Sequence, residues 1–533
     1  MTKAIRLLVL ELGATEAGRG VIGGLRRLIP DVWIAGVEKR LEYGKSSFDF
    51  VVTNQFDAFY GRYPEVDTAA LSMTPELHEL MAPFEGKLLN VAGLAGVRRP
   101  SDYPAPIRGV PVFEDSYDAR KDLIDRHVRF WSNRFDDLRI DAVVHENLGQ
   151  EIFDYIALTV ARARGIPTLV FNISGQFPRV LFVQEDESTL GDLKLGTEIK
   201  GRIGSRLAAE SPDFIKRSLK RIQGSPDHGL APQALNQNTV KYRTHPLISW
   251  LFDRSIYKND VSLVSVSTAL VKKFRRVLRD PFGRLRIFRH SRELVKSTNR
   301  ALREEAEHCQ EGDIKEPYVF FPLHFQPETS TSIKGRHFYT LREAVAFVAS
   351  ALPPSWRLVV KEHPHQFRRL LKRVPGFYSQ IAAIPSVTLV SHHHMNDTLI
   401  SGAQAVVCVS HSSITAHAAL TGKPVISLGD SHLRELPNYF CVRSTSDLHS
   451  AIQEISTGLP SLQNQDVEKF IHSLEIATFE GEFGEKPDGL SSDEWHHVLR
   501  TTAQNISLAI FEWLKIRNVV DQQPSPTSSA LRW

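Results

Sequence analysis

Along the first third of the chain, short apolar runs alternate with stretches whose apolar positions recur at helical spacing. LLVLEL, VWIAGV, FDFVVT, KLLNVAG, IDAVVHE and PTLVFNIS are the strand-length runs. Strands covered on both faces read as near-continuous apolar segments, so the pattern predicts a parallel sheet flanked by helices. From about Glu185 to Cys309 the chain turns to charged, helix-prone segments broken by Gly and Pro, as in GSPDHGLAP, which predicts a helical insertion or linker. Alternation resumes in PYVFFPL, WRLVVKEHP, VTLVS, AQAVVCVS and KPVISLG, a second doubly wound unit. After Ser446 the pattern is helical, notably in ISLAIFEWLKI, and DQQPSPTSSALRW reads as a disordered tail.

The expected organisation is an α/β protein with a Rossmann-like domain over 1–184, a basic helical insertion over 185–312, and a second Rossmann-like domain over 313–460. C-terminal helices over 461–520 and a tail over 521–533 complete it. Two such sheets in tandem imply a cleft between them, with ligands beyond the carboxyl ends of the strands. The glycine-bearing loop GATEAGRGVIGGL after the first strand lacks both the dinucleotide spacing and the phosphate-loop lysine, so it predicts no cofactor site.

A length of 533 residues suits two cores, and 42% hydrophobic with 24% charged residues excludes a wholly disordered chain. Cys309, Cys408 and Cys441 are far apart and odd in number, which points away from a disulfide framework or metal-ligand cluster and towards a reducing compartment. The run Leu7 to Leu12 is interrupted by Glu11 and no cleavage pattern follows, so it reads as a strand and not as a signal peptide. No later run reaches the length of a membrane span, and the expected location is cytoplasmic. A net charge of +4 gives no nucleic-acid reading. Basic residues do crowd 271–303, opposed there by Asp280 and Glu293 alone. That block reads as a solvated helix pair between domains, or as a surface for acidic lipid head groups or a polyanionic product.

Four places after strands carry candidate chemistry. In KEHP, Lys361 to Pro364, the proline biases His363 to an extended backbone and aims its imidazole over the sheet edge, either at a phosphate or at a neighbouring loop. In SHSS, Ser412 and Ser413 stand at a helix start, where backbone N–H groups and hydroxyls can grip an anion or a serine can serve as the N-cap. FFPLHFQPETSTS delivers His324, Gln326 and Glu328 into the cleft, or forms a hydrogen-bonded turn. In the first domain, His145, Glu146, Glu151 and Asp154 follow a strand; a carboxylate there can deprotonate an acceptor hydroxyl or merely complement a helix dipole. His392 to His394 have no partner carboxylate or cysteine at metal-ligand spacing and predict a polar loop, so no metal is assigned.

Taken together, YVFFPLHFQPETSTS, VVKEHPHQF, AVVCVSHSSITAHAAL and TGKPVISLG resemble the capsule polysaccharide biosynthesis family, glycosyltransferase-like proteins of the GT-B type, over about Tyr318 to Leu436. A fainter echo lies in HENLGQEIFDYIA. The resemblance implies a GT-B-like fold with the acceptor side in the first domain and the nucleotide-sugar side in the second. It implies transfer of a sugar from a CMP-activated, Kdo-like donor to a capsule or lipopolysaccharide glycan, with inversion and without a metal or other cofactor. Lys361, His363, Pro364, Ser412 and Ser413 would then bind the nucleotide phosphate and ribose, with His417 where many relatives carry a ribose-binding Glu. Glu151, with Glu146 beside it, would be the base, although Gln150 and Ile152 replace the His and Gly of the relatives' pattern. The implied partners are a glycan or glycolipid acceptor, the inner-membrane surface and polysaccharide export machinery, with no nucleic acid. Transfer of a polyol phosphate from a CDP-activated donor and a non-catalytic scaffold of the same architecture are the competing expectations.

Overall fold

In the computed structural model, described residues run from 4 to 521. The exceptions are 13–14, 39–46, 55–73 apart from Ala58, Gly61 and Tyr63, 86–116 apart from Leu88, 148–151 apart from Gly149, 174–178, 187–190, 212, 225–280, 311, 313, 327–328, 336, 369–372 and 484–490. The KLLNVAG run apart from Leu88, the part of the basic block that precedes the helix Pro281–His308, and the tail after Asp521 fall outside them.

The first sheet contains β1 (Arg6–Leu10), β2 (Trp33–Glu38), β3 (Phe50–Asn54), β4 (Ala142–His145), β5 (Thr168–Ile173) and β6 (Val180–Gln184). The second contains β7 (Tyr318–Pro322), β8 (Arg357–Lys361), β9 (Val387–Val390), β10 (Ala405–Cys408), β11 (Val425–Ser427) and β12 (Tyr439–Cys441). A short β13 (Phe479–Glu480) returns to the first sheet, whose order is β13-β6-β5-β4-β1-β2-β3. The second sheet has the order β12-β11-β10-β7-β8-β9 and is parallel throughout. Strand order reverses between β1 and β4 in one sheet and between β7 and β10 in the other, which is where a doubly wound sheet opens a crevice at its carboxyl edge. The two Rossmann-like halves expected from the sequence are therefore present.

The apolar runs alternate as a sheet with two covered faces requires. Leu7 and Val9 of β1 enter one core with Leu169 and Phe171 of β5, while Leu8 and Leu10 enter the opposite core with Val170. β6, unforeseen in the sequence reading, pairs antiparallel with β5 and joins the halves. Its Leu181 and Val183 face the first half's core, whereas Val180 and Phe182 enter a core built with Phe320, Val406 and Ala418 of the second half.

The C-terminal segment completes the first half. β13 pairs antiparallel with β6, and the 25-residue helix Ser492–Ile516 lies along the helix Glu16–Leu28. The backbones come close enough that a Cβ at Gly20 would stand 2.9 Å from the Cβ of Ala503. Trp513 is fully buried and donates from its indole N–H to Glu185 Oε1 at 2.8 Å. Among the described residues no helix is long and apolar enough to cross a membrane. All three cysteines are free, and burial raises the Cys408 and Cys441 thiols to about 11, which keeps them protonated.

Trp513→Ala removes the largest side chain of the contact between the C-terminal helix and the first sheet. It is expected to lower unfolding stability by about 3–5 kcal/mol, read as a reduced denaturant midpoint with an unchanged slope.

Candidate functional site

The crevice of the second sheet is shaped by a buried ion pair. Glu362, which follows β8, receives Arg373 Nε at 2.8 Å and Arg373 Nη2 at 3.0 Å, and Tyr378 donates to the same carboxylate at 2.8 Å. Glu362 Oε1 also accepts the backbone N–H of His363 at 2.7 Å, fixing the turn that follows the strand. The rest of the guanidinium holds the loop after β7, donating to the His324 carbonyl at 3.0 Å and to Gln326 Oε1 at 2.9 Å. One buried pair thus sets the positions of both loops that flank the crevice.

His363 projects into a cavity of about 190 Å³ whose lining includes Lys361, His365, Asn396, Ser413 and Ile414. Its Nδ1 accepts the backbone N–H of His365 at 3.0 Å, so the ring proton sits on Nε2. Burial, reinforced by His365, His324, Lys361 and Arg373, holds its pKa well below the ordinary imidazole value. His363 is therefore a neutral N–H donor at physiological pH. Lys361 is buried beneath it and donates to Asn396 Oδ1 at 2.6 Å. Pro364 opens the short helix Pro364–Arg368.

The two serines have different roles. Ser412 is the N-cap of the helix Ser413–Leu420, its Oγ accepting the Thr415 N–H at 3.2 Å while Thr415 Oγ1 accepts the Ser412 N–H at 2.9 Å. Ser413, in the exposed first turn, lines the cavity. His417 is not brought there: Nδ1 donates to the Ile222 carbonyl at 3.1 Å, tying this helix to the helix Phe214–Gly224, and Nε2 stands 3.8 Å from Asp397. Gln326 is engaged by Gln366 and Tyr339 as well as by Arg373. Glu328 and Glu151 lie outside the described residues.

The histidine run after β9 has the carboxylate that local spacing could not supply. His392 Nδ1 lies 2.7 Å from Glu305 Oε2, and its backbone N–H donates to Glu305 Oε1 at 2.8 Å. Glu304 beside it accepts the N–H groups of Gly376, Tyr378 and Ser379. The end of the helix Pro281–His308 is thereby docked on the second half.

A second histidine group lies deeper, where the halves meet. His411 follows β10, His432 follows β11, and their ring centroids are 5.7 Å apart. His432 stacks on Phe182 of the first half at 3.5 Å and its Nε2 is 3.1 Å from Asn172 Nδ2. Lys334 donates to Asn172 Oδ1 at 3.4 Å, from the loop whose Ile333 is buried in the first half's core with Leu10 and Ile152. His324, just after β7, adds to the lowering that burial imposes on the pKa of both His363 and His411. The sequence reading passed over His411 and His432, although each stands just after a strand's carboxyl end.

At the first sheet's switch point, Glu11 follows β1 and His145 ends β4, one residue beyond the paired Leu10 and at its partner position respectively. Glu11 has a left-handed backbone with φ 62°, uncommon for a non-glycine residue and often found at functional sites. Side-chain atoms of Glu11, His145 and Asp154 lie within 4.8 Å of one another, a set that could in principle coordinate a cation. Both imidazole nitrogens are already engaged: Nε2 faces Asp154 at 3.1 Å and Nδ1 accepts the Asn147 N–H at 2.9 Å. Burial lowers the His145 pKa, Glu11 and Glu146 draw it upward, and Arg162 adds to the lowering. His145 thus holds Asp154 in place, and the carboxylates of Glu11 and Glu146 flank it. Glu11, read from the sequence as an interruption of a strand, joins Glu146 as a candidate base.

Residues 284–434 match a family model described as capsule polysaccharide biosynthesis protein, the family that the motifs resemble. No curated protein matches the chain. Among solved structures, the UDP-GlcNAc 2-epimerase of Neisseria meningitidis is 10% identical, with 96% of this chain and 100% of that one covered at a TM-score of 0.20. The lipopolysaccharide outer core galactosyltransferase WaaB is 10% identical over 96% and 100% at 0.25, and Thermosulfurimonas dismutans KpsC, a beta Kdo 2,7 transferase, 12% identical over 61% and 80% at 0.24. At such scores these likenesses carry no weight for the activity.

Two expectations follow from this geometry. Arg373→Met leaves the Glu362 carboxylate buried without its counter-charge and should cost about 3–5 kcal/mol in chemical unfolding, whereas the double change Glu362→Gln with Arg373→Met should recover part of that loss. Burial also holds His127, His145, His363, His411 and His432 below the ordinary value, His127 down to about 3. Below about pH 6.5 the unfolded chain therefore binds more protons than the folded one. Stability should fall as pH drops through that value, each histidine adding a slope of up to about 1.4 kcal/mol per pH unit, measurable as denaturant midpoints from about pH 8 to about pH 5.

Proposed function

We propose that the protein is a GT-B-type glycosyltransferase that moves a sugar from a nucleotide-activated donor, a CMP-sugar of the Kdo kind, onto a capsule or lipopolysaccharide glycan. The observation that carries this reading is the cavity at the second sheet's switch, where an uncharged imidazole N–H, the Lys361 stem and the first turn of a capped helix converge. A helix start and a preset N–H donor suit a phosphate on which negative charge builds as it departs. The match over 284–434 supports the same reading, because it covers these motifs.

In the proposed reaction the bond from the anomeric carbon to the phosphate oxygen breaks and the nucleotide leaves with the electron pair. The acceptor oxygen bonds the same carbon from the opposite face, and its proton passes to a carboxylate beside His145, either Glu146 or Glu11. A single displacement of this kind inverts the anomeric centre. The leaving phosphate is met by His363 and the helix start, so the step as drawn needs no metal or other cofactor.

A thermal-shift panel of CMP, CDP, UMP, UDP and GDP tests the donor class, since a ligand that binds only the folded state raises its melting temperature. CMP is expected to stabilise the wild type and to lose that effect in His363→Ala. A preference for UDP or GDP would overturn the CMP assignment, and no response to any nucleotide would favour a non-catalytic scaffold. With a donor in hand, Glu146→Gln or Glu11→Gln should lower kcat by about 10²–10⁴-fold with donor affinity kept. Full activity in both variants would remove this pair from the role of base.

A further inference from the structure

Two cations are buried just beyond β8, and they are held in different ways. Arg373 is met by the Glu362 carboxylate, whereas Lys361 Nζ donates to a neutral amide, Asn396 Oδ1, at 2.6 Å. Lys361 and Asn396 both line the cavity at His363. A carboxylate so close would cancel the ammonium charge locally, but an amide oxygen orients the same N–H and leaves the charge in place. The lysine stem is flexible, so a fixed acceptor is what gives its ammonium one position. Asn396 is fixed in turn. It opens the helix Asn396–Gly402, whose Leu399 carbonyl accepts the Tyr318 hydroxyl at 2.9 Å. Four residues earlier His392 is clamped by Glu305, which accepts its backbone N–H at 2.8 Å and faces its Nδ1 at 2.7 Å. The His392 ring also lies 4.8 Å, centroid to centroid, from Phe367 in the short helix that follows His363. Just past the helix Pro281–His308, the Gln310 N–H donates to the Leu389 carbonyl at 2.9 Å. The end of that helix therefore holds the loop that carries Asn396.

We infer that Asn396 is a positioning residue for the anion seat of this cavity, holding the Lys361 ammonium in one place without neutralising it, and that Glu305 acts on the same cation through His392 and the loop to Asn396. The inference rests on the reading of the cavity as the seat of the donor phosphate. It gives the helix Pro281–His308, read from the sequence as part of an insertion or linker, a share in ligand binding, although Glu305 does not line the cavity. The choice of an amide is the specific part. At position 396 an aspartate has the same size and can accept the same hydrogen bond, so the difference between the two residues is charge alone on the side that faces Lys361.

The test is a double-mutant cycle on the full chain, read as calorimetric affinity for CMP and for inorganic phosphate. Lys361→Met should weaken both ligands about 10–100-fold, the loss of a charged hydrogen bond. Asn396→Ala should weaken them about three- to tenfold, and Asn396→Asp more than Asn396→Ala, because it gives the ammonium an internal counter-charge. A packing role for Asn396 predicts the reverse order, since Asp keeps the volume that Ala loses. Glu305→Gln, which keeps its shape and one acceptor, should cost about threefold. In the Lys361→Met background none of these changes should weaken binding by more than about twofold again. Denaturant midpoints of the unliganded variants are measured alongside, and Asn396→Asp is expected to match the wild type, because a carboxylate in a first helical turn complements the dipole. Affinities that simply follow the midpoints, or losses at Asn396 that persist in full after Lys361→Met, would overturn the inference. Phosphate binding with the cycle intact in a protein that ignores every nucleotide would keep the positioning role and remove the nucleotide-donor reading. A wild type that binds neither ligand would overturn both.

Discussion

The crevice of the second sheet depends on one carboxylate. Glu362 is buried directly after a central strand and is met by a bidentate Arg373, by the Tyr378 hydroxyl and by the His363 backbone. A charge at that depth is tolerable only because its lone pairs are occupied and its counter-charge is held in planar register. The same guanidinium reaches the His324 carbonyl and Gln326, so the loops after β7 and β8 are held by a single ionic centre. The placement of His363 follows from that centre, and its uncharged state follows from burial.

Coupling between the halves is of a different kind. It rests on apolar surface shared by both: β6 presents alternate side chains to each core, Ile333 from the second half is buried in the first, and the chain returns through β13 and the helix Ser492–Ile516. Polar contacts then sharpen the alignment where the halves meet, through Asn172, Lys334 and His432. This places the carboxylates around His145 and the imidazoles of the second half at the carboxyl edges of their respective sheets, as expected for chemistry divided between two walls.

The candidate site was partly legible before folding. His363 and Ser413 follow predicted strands, and both line the cavity. Ser412 instead fulfilled the alternative expectation of an N-cap, and His417 is turned to the carbonyl of a helix nearly two hundred residues earlier in the chain. A simple regularity went unused: a histidine follows each of β7, β8, β9, β10 and β11 within a few residues, as His324, His363, His392, His411 and His432. Parallel strands bring their carboxyl ends to one edge, so such a series converges in space even though its members are tens of residues apart in the chain.

The sequence by itself determined the elements and the sheet class, because burial on two faces imposes apolar runs of strand length and the covering helices impose their own period. It also determined which loops carry polar side chains at the strand ends. Only the tertiary structure decided which of those side chains are spent on support and which face the cavity. Glu362, Arg373 and Glu305 look in sequence like ordinary charged residues, and Glu11 like a flaw in a strand. Their roles come from partners distant in the chain and from the low dielectric of the interior, and local spacing encodes neither.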